Sequence, residues 1–171
     1  MRALVTGGAA SGKSEFAELL LTRLAGDMQK YYIATMPDFG GESRERIEKH
    51  RRSRAGRGFE TVERMDNLAE LQLPTRGGCA LLEDIGNLVA NEMFGGAGAD
   101  GAAERVARGV LHVAAQCEML VVVTNDVSRD GAEYEAETLE YIRIIEQVGQ
   151  ALAEGFDEVY EVIAGIALRV K

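Results

Sequence analysis

The 171-residue chain is long enough to bury a core without disulfide staples, and 46% hydrophobic with 27% charged residues is the mixture of an ordinary globular protein. No apolar run approaches the roughly 20 residues of a membrane span, and a net charge of −9 argues against broad binding to nucleic acid or anionic membranes. The start, MRALVTGG, lacks the apolar core of a signal peptide, so the expectation is one cytoplasmic domain over 1–171, not inserted in a membrane, with Cys79 and Cys117 as buried free thiols.

The first strand-like run is RALVT (2–6), and it leads directly into Gly7-Gly8-Ala9-Ala10-Ser11-Gly12-Lys13-Ser14. That stretch satisfies G-x-x-x-x-G-K-S, and a helical pattern follows over 13–25, as a triphosphate-binding loop requires. Glycines let backbone N–H groups converge on phosphate oxygens, and the helix start adds the positive end of its dipole. Lys13 is expected to reach the β- and γ-phosphates, and the Ser14 hydroxyl to take a place on Mg²⁺.

KYYIAT (30–35) reads as the second strand, followed by a helix over 43–54. The stretch 43–57, SRERIEKHRRSRAGR, holds seven Lys/Arg against two Glu in an otherwise acidic chain. Such an island suits a compact anion better than a polymer. On the helix, Arg46, His50 and Arg54 fall at i, i+4 and i+8. Two readings stand at this point: an unprotonated imidazole among phosphate-binding arginines is a nucleophile, while Glu45–Lys49 and Glu48–Arg52 are the i,i+4 pairs of a plain solvated helix.

FETVE (59–63) and CALLE (79–83) read as strands, the latter ending in an acid. A P-loop enzyme needs a carboxylate near Mg²⁺ at such a strand end; Glu83 is the first choice and Asp84 the second. A helix over 86–93 precedes the glycine-rich patch FGGAGADG (94–101), which reads as a mobile loop. The next helix, 102–117, carries His112 as a packing or surface residue. MLVVVT (119–124) is the most apolar strand; the Asn125-Asp126 pair after it either faces the same rim or forms an Asx turn. A helix over 134–154 and two strands, 158–164 and 166–170, close the chain; only Gly165 separates them, which predicts an antiparallel pair. Apolar strands alternating with helices define an α/β fold with a mainly parallel sheet flanked by helices.

VTGGAASGKSEFAE, YYIAT, RIEKHRRSR, FETVE, LLEDIGNLVAN, VVVTNDV and DEVYEVIAGIALRVK, in that order, resemble the bifunctional adenosylcobinamide kinase/adenosylcobinamide-phosphate guanylyltransferase family of cobalamin synthesis. The resemblance runs from the first strand to the last residue. It implies a P-loop, RecA-like domain that phosphorylates adenosylcobinamide with ATP or GTP. It also implies that GMP then passes from GTP, through a histidine, to adenosylcobinamide phosphate. Carried over by position, Gly7–Ser14 is the triphosphate loop, and Ala34, Thr35 and Met36 touch the nucleotide. His50 is the residue that bears GMP, and Arg51, Arg52, Ser53, Arg54, Glu63 and Glu83 complete the guanine-nucleotide site. Ser14 and Glu83 serve Mg²⁺; the partners are a small corrinoid and a nucleotide, in a homo-oligomer. The region SRDGAEYEAETLEYIRIIEQVGQALAE departs from the family's RxFRDxxGxxNQ-like helix, and it belongs to the corrinoid side or to a subunit contact. The competing readings are a monofunctional P-loop kinase for a small alcohol, with His50 a surface residue, and a RecA-like regulatory ATPase module.

Overall fold

The computed structural model describes residues 1–127 and 134–171, apart from the side chains of Glu42, Arg46, Lys49 and Ser53. Its strands are β1 (Arg2–Thr6), β2 (Lys30–Ala34), β3 (Phe59–Glu63), β4 (Gly78–Glu83), β5 (Cys117–Val123), β6 (Glu158–Ile163) and β7 (Ile166–Arg169). The helices are α1 (Lys13–Ala25), α2 (Glu42–Arg54), α3 (Ile85–Phe94), α4 (Ala102–Ala114) and α5 (Ala136–Gly155), with one 3₁₀ turn at Leu68–Glu70.

All seven strands join one sheet in the order β3-β2-β4-β5-β1-β6-β7. Every pairing is parallel except β6 with β7, whose antiparallel register follows from the tight turn at Ala164–Gly165. Side chains alternate across the sheet. Leu4, Leu82, Leu120, Val122 and Val159 pack with α3, α4 and α5, while Ala3, Val5, Leu81, Val121, Val123 and Val162 pack with α1. Both faces are covered, which is why β4 and β5 are continuous apolar runs rather than alternating ones. The C-terminal ends of β1, β2, β4 and β5 share one rim, where ligands of open α/β sheets gather.

Two expectations need correction. The helix expected over 102–117 ends at Ala114. Ala115 and Gln116 close it with bonds to Leu111 and Val113, and Cys117 pairs with Gly78 as the first residue of β5. Cys79 is buried, but Cys117, at the start of the interior strand β5, is only half-buried; burial and then the neighbouring Cys79 push its thiol up to about 12. Of the expected loop 94–101, Phe94 ends α3 and 95–101 connect it to α4, and part of the divergent region, 128–133, lies outside the described residues.

Candidate functional site

The turn between β1 and α1 is built around close approaches. A Cβ on Gly7 would sit 2.5 Å from the Val162 carbonyl oxygen and 2.6 Å from Ser11 Oγ, so no larger residue fits. The Ser11 N–H donates to the Gly8 carbonyl at 3.3 Å, and Gly165 N–H, from the β6–β7 turn, donates to the Ser11 carbonyl at 2.8 Å. The C-terminal hairpin therefore buttresses the loop from outside. Gly8, Ala9 and Ala10 form its exposed crest, and Gly12, in the left-handed conformation, caps α1 with no side-chain bond to its first-turn N–H groups. Lys13 Nζ folds back onto the Gly8 carbonyl at 3.1 Å.

Glu83, at the end of β4, gathers the rest of the site. Ser14 Oγ donates to its Oε1, and Tyr32, on β2, donates to its Oε2 at 3.3 Å. His50 Nδ1, from α2, lies 3.8 Å from Oε1. Three elements thus meet at a carboxylate that is only 7% exposed. Burial and then the Glu83 carboxylate push the Tyr32 phenol well above its usual range, against the pull of Arg54. The Arg54 guanidinium carbon stands 3.2 Å from the Tyr32 ring centroid, a cation–π contact. Arg54 is itself buried, and its Nη1 finds no hydrogen-bond partner among the described residues. An arginine nitrogen stripped of water in a pocket is a ready donor to an anion.

Of the residues expected at the site, Lys13, Ser14, Ala34, Met36, His50, Arg51, Arg54, Glu63 and Glu83 line one pocket. Arg51 pairs with Glu63 at 3.4 Å on its exposed edge. Thr35 lies beneath it: its hydroxyl donates to the Glu83 and Asp84 carbonyls at 2.9 Å each, fixing β2 to β4 at the strand ends. Arg52 points away, 80% exposed, and pairs with Glu48 at 3.0 Å. The side chains of Ser53 and Arg46 lie outside those described. Glu83 and Asp84 both line that pocket but have different partners. Asp84 caps α3 by accepting from the Asn87 N–H at 2.7 Å, and it also accepts from Asn125 Nδ2 at 3.2 Å. Asn125 therefore faces the rim, and the Asp126 N–H bonds the Gly7 carbonyl at 3.1 Å. His112 packs on the 3₁₀ turn, 2.9 Å from the Leu71 carbonyl.

Tyr32, Glu18 and Arg57 are the members that sequence reading missed. Glu18, 2% exposed, is held by Arg57 at 3.0 Å, which ties the segment after α2 to α1. One oxygen each of Glu18 and Glu83 and one ring nitrogen of His50 lie within 4.8 Å of one another. Signals for two of the three existed: Glu18 stands four residues after Ser14 on the same helix face, and Tyr32 two residues before Ala34 on the same strand face. Arg57 was counted in the basic island 43–57, but nothing signalled its pairing with Glu18, 39 positions away.

A P-loop before a helix, a hydroxyl meeting a strand-end carboxylate, and an arginine- and histidine-bearing helix over both define a nucleotide-binding enzyme of the RecA-like P-loop class. Solved structures agree on the fold. The "ATPase Domain of G40P" matches with a TM-score of 0.52 at 9% identity, covering 94% of this chain and 68% of that one. A DnaB-like replicative helicase matches at 0.50 and 10%, covering 93% and 46%. Those identities speak to architecture alone. The chain belongs to the cobinamide kinase / cobinamide phosphate guanyltransferase family, whose model matches residues 3–170. Two relatives, each called "Bifunctional adenosylcobalamin biosynthesis protein CobU", come from Escherichia coli (strain K12) and Salmonella typhimurium (strain LT2). Each is 34% identical to this chain over 187 aligned residues, covering all of both chains.

Proposed function

We propose that the chain phosphorylates adenosylcobinamide with ATP or GTP, then takes GMP from GTP onto His50 and passes it to adenosylcobinamide phosphate. The observation that most supports this reading is the position of His50, 3.8 Å from the Glu83 carboxylate to which the P-loop Ser14 donates. A bystander on a solvated helix would have no reason to be only 26% exposed against that carboxylate.

In the first step the acceptor hydroxyl oxygen bonds the γ-phosphorus, the β–γ bridging P–O bond breaks, and the nucleoside diphosphate leaves as the hydroxyl loses its proton. In the second, an imidazole nitrogen bonds the α-phosphorus of GTP and pyrophosphate leaves. In the third, a phosphate oxygen of the corrinoid displaces the imidazole, breaking the P–N bond and giving adenosylcobinamide-GDP. Splitting nucleotidyl transfer this way gives each displacement a good leaving group. Glu83 lies on the Nδ1 side of the ring, which leaves Nε2 as the nitrogen suited to attack. Lys13 and the loop N–H groups are suited to the β- and γ-phosphates, and Arg54, with a buried nitrogen unbonded by the described residues, to charge on the oxygens around the attacked phosphorus. Arg51 and Glu63 form the pocket's outer edge. The Ser14 hydroxyl and Glu83 carboxylate are the hard oxygen donors that fit Mg²⁺, which would supply charge neutralisation on the phosphates.

The test is intact mass after incubation with GTP and Mg²⁺. Wild type should gain one acid-labile GMP. His50→Ala should gain none, yet still phosphorylate the corrinoid. A folded, GTP-binding wild type that acquires no adduct, or an adduct that survives in the variant, would overturn the histidine's role.

A further inference from the structure

Tyr32 lies two residues before the end of β2, opposite Leu81 of β4, while Ala34 stands opposite Glu83. Strand alternation therefore puts the phenol and the carboxylate on the same face of the sheet, one step apart on neighbouring strands. The ring belongs to the core layer of Leu21, Leu81 and Val121 under α1 and is 5% exposed. A tyrosine rooted in a close-packed layer moves little, so what its hydroxyl and its face touch is fixed. The hydroxyl donates to Glu83 Oε2 at 3.3 Å, which leaves Oε1 to Ser14 and His50. The face carries the Arg54 guanidinium, whose central carbon is 3.2 Å from the ring centroid. At that distance the carbon stands over the face of the ring and not beside its edge.

How Arg54 is held decides what it can do. A guanidinium paired with a carboxylate spends N–H donors on that partner. A ring face attracts the same charge through its quadrupole and takes up no donor. Arg54 is 6% exposed, yet its Nη1 bonds to none of the described residues. Its main chain is pinned as well. The Arg54 carbonyl accepts from the Arg57 N–H at 3.0 Å, and Arg57 Nη1 donates to Glu18 of α1 at 3.0 Å. Arg54 follows His50 by four residues, one turn or about 6 Å along α2, so the two share a helix face. Both line the nucleotide pocket, together with Tyr32.

We propose that Tyr32 is a positioning residue for guanylyl transfer: its ring holds Arg54, with donors unspent, beside the phosphorus that His50 attacks. The assignment rests on the function proposed above, in which His50 carries GMP. It makes the ring face a requirement of one reaction and not of the other. In GMP transfer, negative charge gathers on oxygens of the α-phosphate next to the imidazole, one helix turn from Arg54. In phosphorylation the attacked phosphorus is the γ, to which Lys13 and the loop N–H groups are suited, and α2 supplies no nucleophile. The hydroxyl's bond to Glu83 serves both reactions alike, because the Ser14–Glu83 pair is used in each.

The test separates the ring face from the hydroxyl. Tyr32→Phe removes the hydroxyl and keeps the ring; a trifluorinated phenylalanine at the same position nearly keeps the shape and largely cancels the negative face. Two rates are read on each protein: acid-labile GMP gained from GTP, by rapid quench and intact mass, and phosphorylation of adenosylcobinamide. Whatever Tyr32→Phe costs should fall on both reactions by a similar factor. Relative to Tyr32→Phe, the fluorinated ring should slow GMP loading about tenfold, the size of a desolvated cation–π contact, and leave phosphorylation in place. In an Arg54→Ala background that difference should vanish. A fluorinated protein that loads GMP as fast as Tyr32→Phe, equal slowing of both reactions, or a difference that survives Arg54→Ala would overturn the role of the ring and leave the proposed function standing. A folded wild type that phosphorylates the corrinoid but gains no GMP on His50 would remove the proposed function, and this role with it.

Discussion

The Glu18–Arg57 pair should respond asymmetrically to the loss of each partner. The two side chains meet at 3.0 Å, but Glu18 is 2% exposed and Arg57 29%. Arg57→Ala leaves a carboxylate buried without its guanidinium and close to a second carboxylate, Glu83. Removing one partner of a buried pair in this way costs about 3–5 kcal/mol. Glu18→Gln keeps the shape and an accepting oxygen, and the surviving Arg57 can hydrate through its exposed third, so about 1 kcal/mol is expected. With a urea slope of about 2 kcal/mol per molar, the variants' midpoints should differ by roughly 1–2 M. Equilibrium unfolding followed by circular dichroism reads this directly. The pair also pins the segment after α2 onto α1, so Arg57→Ala should slow the proposed GMP loading of His50 more than Glu18→Gln does. Equal losses, or a larger loss for Glu18→Gln, would refute the reasoning that burial of the survivor sets the cost.

The P-loop's close approaches give a second contrast. Gly7→Ala places a Cβ against the Val162 carbonyl and should destabilise by about 1–3 kcal/mol, whereas Gly8→Ala meets open space and should leave the unfolding midpoint in place; chemical denaturation compares them. Alkaline stability follows from Tyr141, whose phenol is pushed up to about 12 by burial and then by Asp84. The folded state holds that proton harder than the unfolded chain does. Its contribution is therefore complete below pH 10 and lost as pH rises through about 12. Urea midpoints should fall across that window, and Tyr141→Phe should reduce the fall; an identical decline in the variant would remove Tyr141 as a cause.

What the sequence determined alone was chemistry carried by contiguous residues. Eight positions in a row, 7–14, specify a phosphate loop because the glycines, lysine and serine act within one turn, and apolar runs alternating with helical patterns specify a parallel α/β sheet. The antiparallel closing pair was legible because one glycine leaves no room for a crossover. Helix α2 was legible in extent but not in orientation. ESRERIEKHRRSR has no apolar stripe, so periodicity could not tell that Arg54 is buried over Tyr32 while Arg52 points to solvent. The different partners of Glu83 and Asp84 were illegible for the same reason. Adjacent residues at a strand end diverge, and only packing of β4 beside β2, with α3 starting at Ile85, sends one to Ser14 and the other to the helix cap. The Glu18–Arg57 clamp belongs wholly to tertiary structure, because it joins segments whose separation along the chain carries no local pattern.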